Sequence, residues 1–137
     1  MGIISATVVL RAMIDTMVFD RLVDDPEAMA AVSRALREHR LALYTTPVQE
    51  AQVAAIPDRR RRKQLQSLPR EVVPAPGDRA VYTVGPRHVA DAMIADAAAR
   101  RCDLLVTEDR RFTERALAQG LEVWDVGRLL GWVRLRP

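Results

Sequence analysis

The chain has 137 residues, 49% of them apolar, and a formal net charge of +3; this length suits one domain of about 100–200 residues with a closed core. Its single cysteine, Cys102, excludes an internal disulfide framework and points to a reducing, cytoplasmic setting, with the thiol itself read as a small buried apolar group. No apolar run reaches the roughly 18 residues of a membrane span, and Ile3–Leu10 has no basic segment before it, so neither an anchor nor a signal peptide is expected.

The positive balance mildly favours a polyanionic partner. All but one of the 21 basic residues are Arg, the exception being Lys63. That uniformity suggests GC-rich coding, so Arg content alone is discounted. Aromatic residues make up 4% of the chain, which argues against a base-stacking platform for single strands.

In chain order, Val8–Ile14 is a nearly continuous apolar run that reads as a strand buried on both faces and ends on Asp15. Residues 1–12 precede a second Met, Met13, and either lengthen this strand or form an N-terminal extension. Met17–Val23 reads as a short helix. A second helix follows over Glu27–His39, with Asp25 as its cap, Pro26 in its first position and a basic end at Arg37, His39 and Arg40. Leu41–Thr45 is a strand, and Thr46-Pro47 opens a helix through Ala55, so the first strands pair in parallel by right-handed crossover.

Asp58–Leu68 contains five consecutive basic residues, Arg59, Arg60, Arg61, Arg62 and Lys63. They point all round a helix, as a solvated arm or as nucleic-acid backbone contacts. Residues 69–87 read as a long Pro- and Gly-rich connection with one extended piece at Ala80–Val84. Then come a helix over Val89–Arg101, a buried strand over Leu104–Thr107, a helix over Arg110–Gln119 stopped by Gly120, a strand over Leu121–Asp125 and a terminal helical turn or two over Val126–Val133. The alternation predicts one domain over residues 1–137, a parallel sheet of four to five strands with helices on both faces.

Three acids occupy comparable places. Asp15 ends the first strand, Asp109 follows the LLVT strand, and Asp91 lies in the first turn of the helix leading into that strand. Taken alone, Asp15 is as readily a helix cap. If its strand neighbours that of Asp109 at a topological switch point, all three acids gather in one crevice. Two bare carboxylates about 4 Å apart repel by some 4 kcal/mol at an effective dielectric of 20, so such a cluster calls for a cation or shared protons. An all-oxygen donor set suits Mg²⁺ or Mn²⁺ and not zinc. Metal-assisted phosphodiester hydrolysis is the chemistry this predicts. A haloacid-dehalogenase-type phosphatase needs an acid where Met17 stands, and a phosphoacceptor receiver needs a Lys at the end of a late strand, so both are disfavoured.

MIDTMVF, TPVQEAQV, DAMIADAAA and LLVTEDRRF occur in this order and resemble the four motif regions of PIN-domain nucleases, in particular the small VapC-type toxins of bacterial toxin-antitoxin pairs. The resemblance covers the chain from Met13 onward. It implies a three-layer α/β/α PIN-like domain and Mg²⁺- or Mn²⁺-dependent RNA cleavage, with a cognate antitoxin as partner and a homodimer as assembly. Asp15, Asp91 and Asp109 would be the metal-binding acids, with Thr16 hydrogen-bonding nearby.

The second acid position is left open. The pattern puts Gln52 where the family has Glu, while Glu50 stands two residues earlier, about 200° around a helix. Family members usually carry Asn where this chain has Met17. Glu108 is an acid that supports Asp109 from behind or a surface residue in this reading, Asp96 a surface residue, and His88 a loop residue just ahead of its helix. Two alternatives accompany the toxin: a PIN fold with a degenerate acidic site acting as a partner-binding module, and a non-toxic RNA-processing nuclease.

Overall fold

In the computed structural model, residues 8–74 and 87–135 are described, with residues 87–89 described by backbone alone. Among the described residues, five parallel strands and seven helices alternate in three layers: β1 (Leu10–Ile14), α1 (Thr16–Val23), α2 (Pro26–Arg37), β2 (Leu41–Thr45), α3 (Pro47–Ala54), α4 (Arg59–Gln66), β3 (Glu71–Val72), α5 (Arg87–Arg101), β4 (Leu104–Val106), α6 (Arg110–Ala118), β5 (Val123–Trp124) and α7 (Val126–Arg134). The sheet order is β3-β2-β1-β4-β5. The chain moves outward from β1 through β2 to β3, then returns to the other side of β1, which makes the carboxyl ends of β1 and β4 the switch point.

Side-chain alternation divides the core. Ala12, Ile14, Leu41, Leu43, Leu104 and Val106 face the layer holding α1, α2 and α7, with Val53 of α3 and Leu65 of α4 beneath the same cover. Met13, Tyr44 and Leu105 face the other way, against the alanine-rich side of α5 and Phe112 and Ala116 of α6. Both faces of the central strands are therefore buried, which is why they read as continuous apolar runs. β1 starts at Leu10, and its register sets Leu10 against Leu41 and Ile14 against Val106.

The helix starts follow from their caps. The Asp25 side chain accepts from the backbone N–H groups of Glu27 and Ala28 with Pro26 in the first turn, and Thr46 and Gln49 form a capping box ahead of α3. α2 ends with His39 at φ 58°, a left-handed position usually filled by Gly or Asn. Gly120 at φ 86° stops α6 in the same way. Cys102 is partly buried against the α5 side of the core, and burial pushes its thiol up to about 12.

Three sequence expectations are corrected. The sequence places the one extended piece of residues 69–87 at Ala80–Val84, yet Glu71–Val72 forms β3 beside Tyr44 and Thr45. α5 begins at Arg87, so His88 lies in the helix and not in a loop before it, and Asp91 falls in the second turn and not in the first. The helical C-terminal segment expected over Val126–Val133 is α7, capped by Asp125 and packed on α2. The extended piece expected at 80–84 lies outside the described residues. Among those described, no helix is long and apolar enough to cross a membrane.

Candidate active site at the switch point

β1 and β4 end side by side, and Asp15 and Thr107 are the first residues past their paired ends. The Asp15 N–H donates to the Val106 carbonyl at 3.0 Å. Asp15 is 8% exposed and caps α1, its Oδ1 accepting the Thr16 N–H at 2.8 Å. Its Oδ2 accepts the Thr107 hydroxyl at 2.8 Å. Thr107 Oγ1 also accepts the Asp109 N–H at 3.1 Å, and Asp109 caps α6 by accepting the Phe112 N–H at 3.1 Å. Capping and crevice geometry thus coincide: the residues that start α1 and α6 are those the sheet delivers to the switch point.

Asp91 reaches the same region from α5 and is 7% exposed. Burial raises its pKa above the ordinary carboxylate value, the charge of Asp15 adds to this, and Asp109 contributes further in the same direction. The guanidinium of Arg115 opposes them, donating to Asp91 Oδ2 at 2.6 Å. A small open pocket beside this pair is lined by Asp91, Ala92, Ala95, Phe112, Arg115 and Gln119.

The structure brings the three predicted acids into one electrostatic neighbourhood at the carboxyl ends of β1 and β4. Their donor chemistry, hard carboxylate oxygen, suits Mg²⁺ or Mn²⁺. Among the described residues, however, no three His, Cys, Asp or Glu side chains converge closely enough to hold an ion together. The cation beside Asp91 is Arg115.

Glu50 and Gln52 point to different partners, as a 200° separation on a helix requires. Glu50 is held by Arg70 through two bonds of 2.9 and 2.7 Å and accepts the Thr45 hydroxyl at 2.6 Å. The Arg70 guanidinium keeps the Glu50 carboxyl below its usual value against the opposing effect of burial. Arg70 also donates to the carbonyls of Leu65 and Leu68 and lies 5.1 Å from the Phe19 ring centre. Gln52 instead accepts the Thr16 hydroxyl at 2.7 Å, beside Asp15. The buried Gln49, which sequence reasoning passed over, fixes this orientation. Its amide nitrogen donates to the Ile14 carbonyl while its oxygen accepts from Thr46 N and Oγ1, tying the start of α3 to the end of β1.

The other predicted residues lie further out. Met17 is exposed next to the crevice, and Asp96 is exposed and paired with Arg100 one turn along α5. Glu108 accepts from Arg21 at 2.9 Å and from the Val126 N–H at 3.1 Å, stapling α1 to the start of α7. In the basic run, Arg61 binds Asp20 and Asp24 of α1, and Arg62 donates to the Ile56 carbonyl. Asp20 and Asp24 are five and nine residues past Asp15, about 7.5 and 13.5 Å along the helix axis at 1.5 Å per residue. Arg61 and Arg62 are therefore committed to holding α4 against the end of α1 and the α3–α4 connection. Arg59, Arg60 and Lys63 are exposed.

Sequence reasoning missed Thr107 and Arg115. The first had a signal, since a Thr ending a strand two residues before an Asp can bond to both strand ends. The second had none in the local sequence, because its partner lies in another helix.

No protein-family model and no curated protein matches the chain. Solved structures do. A PilT N-terminus domain protein from the archaeon Sulfolobus solfataricus superposes with a TM-score of 0.61 at 15% identity, over 93% of this chain and 97% of that one. The PIN domain endonuclease Utp24 gives 0.55 at 16% identity over 84% of each chain. VapBC2 from Rickettsia felis, in a structure bound to a DNA fragment from its promoter, gives 0.55 at 11% identity, over 85% of this chain and 98% of the matched one. With its five parallel strands in the order 3-2-1-4-5 and its helices on both faces, the chain has the fold of the PIN-domain proteins.

Proposed function

We propose that this chain is a divalent-metal-dependent endoribonuclease, the toxin of a bacterial toxin-antitoxin pair, with Asp15, Asp91 and Asp109 as its metal-binding acids. The observation that carries the reading is the placement of Asp15 and Asp109 on one Thr107 hydroxyl at the paired ends of β1 and β4, with the buried Asp91 facing them from α5; the raised pKa of Asp91 agrees with it. A fold has no need to bring three acids within electrostatic reach of one another at its switch point, and a cation drawn between them would relieve their repulsion. The PIN domain endonuclease and the VapBC2 complex among the structural neighbours support nuclease activity and an antitoxin partner. A homodimer is part of the same reading, by resemblance.

A bound Mg²⁺ or Mn²⁺ would activate water and offset charge developing on the phosphoryl oxygens. The chain's own residues do the rest. Thr107 holds Asp15 and Asp109 in register, Thr16 holds Gln52 at the rim, and burial of Asp91 keeps its carboxylate under-solvated and receptive to a cation. Gln52 offers a neutral amide oxygen as the fourth group, while Glu50 is committed to Arg70.

The test is cleavage of a structured RNA with Mg²⁺ or Mn²⁺ and with a chelator, for wild type and Asp91→Asn. Cleavage that needs the ion and is lost in the folded variant is expected; cleavage by the variant contradicts the assignment. Growth arrest on expression in a host without any antitoxin separates a toxin from a housekeeping processing nuclease.

A further inference from the structure

α6 carries an arrangement of charge that its own stability does not favour. Arg110 and Arg111 stand in its first turn, at the end of a helix where cations are unfavourable, with the Asp109 cap just before them and Glu114 the next acid in the helix. Arg111 and Arg115 are four residues apart, on one face, where like charges repel. Neither Arg110 nor Arg111 makes an ion pair with a described residue, whereas Arg115 is drawn onto Asp91. The Arg115 side chain is 47% exposed although its partner is 10% exposed, so the guanidinium lies at the mouth of the crevice and closes over a buried acid from outside. The pocket beside the pair leaves open space next to it.

We propose that Arg111 and Arg115 form a clamp for the RNA backbone phosphate at the crevice mouth, with Asp91 holding Arg115 in the RNA-free protein. The inference rests on the ribonuclease reading and adds the residues that grip the substrate. Arginine suits the role because its planar fork binds a phosphate through two parallel hydrogen bonds. The basic run of α4 is the weaker choice, since its Arg61 and Arg62 are consumed in holding α4 to its neighbours.

The experiment is binding of a short fluorescein-labelled single-stranded RNA of mixed sequence, in chelator so that nothing is cleaved. Wild type, Asp91→Asn, Arg115→Gln, the double variant, Arg111→Gln and an α4 variant (Arg59→Gln, Arg60→Gln, Lys63→Gln) are compared, each confirmed folded by circular dichroism. Asp91→Asn should tighten binding up to about fivefold, the most that a pair with a half-exposed guanidinium supports. In the Arg115→Gln background the same change should have at most about a twofold effect, because no guanidinium remains to be released. Arg111→Gln and Arg115→Gln/Asp91→Asn, each against its Arg-containing parent, should lower the slope of log affinity against log salt by about 0.7, while the α4 variant keeps the full slope. Equal tightening by Asp91→Asn in both backgrounds, or a slope lost in the α4 variant and kept in Arg111→Gln, overturns the clamp and leaves the nuclease reading standing. Absence of RNA binding in every protein overturns the clamp, and the cleavage assay with Mg²⁺ or Mn²⁺ then decides the nuclease reading separately.

Discussion

The Thr107 hydroxyl sits between two acids, donating to Asp15 Oδ2 at 2.8 Å while accepting the Asp109 backbone N–H at 3.1 Å. One side chain at the end of β4 therefore orients the carboxylate that ends β1 and the start of the helix that carries the other. Sheet pairing brings the strands together, and this hydroxyl sets the acids.

Thr107→Val keeps the shape and removes the hydroxyl. Asp15 is nearly buried, so it loses a partner it cannot replace with water, at a cost of about 1–3 kcal/mol. Urea unfolding should report that loss, and RNA cleavage should fall at least tenfold as Asp15 and Asp109 drift apart. Thr107→Ser, which restores the hydroxyl, should recover both. Recovery of stability without activity would mean that the methyl group, and not the hydrogen bond, matters to the site.

Asp91→Asn tests the acid cluster through pH. Its folded pKa is raised, so the folded state holds the proton more tightly than the unfolded chain, and this residue's contribution makes stability fall as pH rises from the ordinary carboxylate value through the raised one. Above that window the wild type carries a disfavoured charge that Asn lacks. Below the ordinary value both side chains are neutral. The variant should be at least as stable as wild type at neutral pH, since the half-exposed Arg115 contributes little to the pair. The gap should close on acidification, and cleavage should be absent throughout.

The elements that the sequence announced are those with local causes. Asp25-Pro26 caps α2 with the bonds its spacing implies, and the apolar runs of β1, β2 and β4 are continuous because both faces of each strand are covered. β3 was hidden for the opposite reason. Glu71 and Val72 are exposed, lie between prolines and become a strand only by pairing with Tyr44 and Thr45, which no local pattern encodes. The site divides in the same way. Asp15 and Asp109 are legible because they end strands. Arg115, on a helix rich in Arg, has nothing local to mark it, and its partner is 24 residues away. Glu50 and Gln52 could be assigned to different faces by helix geometry, but not to Arg70 and Thr16, because those partners come from other elements.

The Glu50–Arg70 pair gives a second pH signature, of opposite sign. The pKa of Glu50 is lowered in the fold, so its stabilisation is present above the ordinary Glu value and is lost as pH falls through the lower, folded one. Arg70 is almost fully enclosed, with Glu50 itself about a quarter exposed. Glu50→Ala should destabilise the protein at neutral pH by about 3 kcal/mol, the low end for breaking a buried pair, because the enclosed guanidinium loses its carboxylate and keeps only the Leu65 and Leu68 carbonyls. The wild-type advantage should vanish in strong acid. Mn²⁺ affinity should change little, since this acid serves β3 and α4. A large loss of Mn²⁺ binding in folded Glu50→Ala would instead return Glu50 to the metal site.

Gln52→Glu addresses the remaining position. The replacement is nearly isosteric and its carboxylate can still accept the Thr16 hydroxyl that Gln52 now accepts at 2.7 Å. It adds a negative charge to a rim beside Asp15, in a crevice where the other acids already act on Asp91. Without an ion this should lower the melting temperature. With an ion the added charge should tighten Mn²⁺ binding about tenfold, equivalent to 1.4 kcal/mol. Calorimetry on wild type, Gln52→Glu and Asp91→Asn reads these outcomes with no choice of RNA. Saturable binding that is lost in Asp91→Asn and strengthened in Gln52→Glu locates the ion between α3 and α5. Binding lost in Asp91→Asn but unaltered in Gln52→Glu confines it to the Asp15, Asp91 and Asp109 side, with the Gln52 amide serving only to hold Thr16.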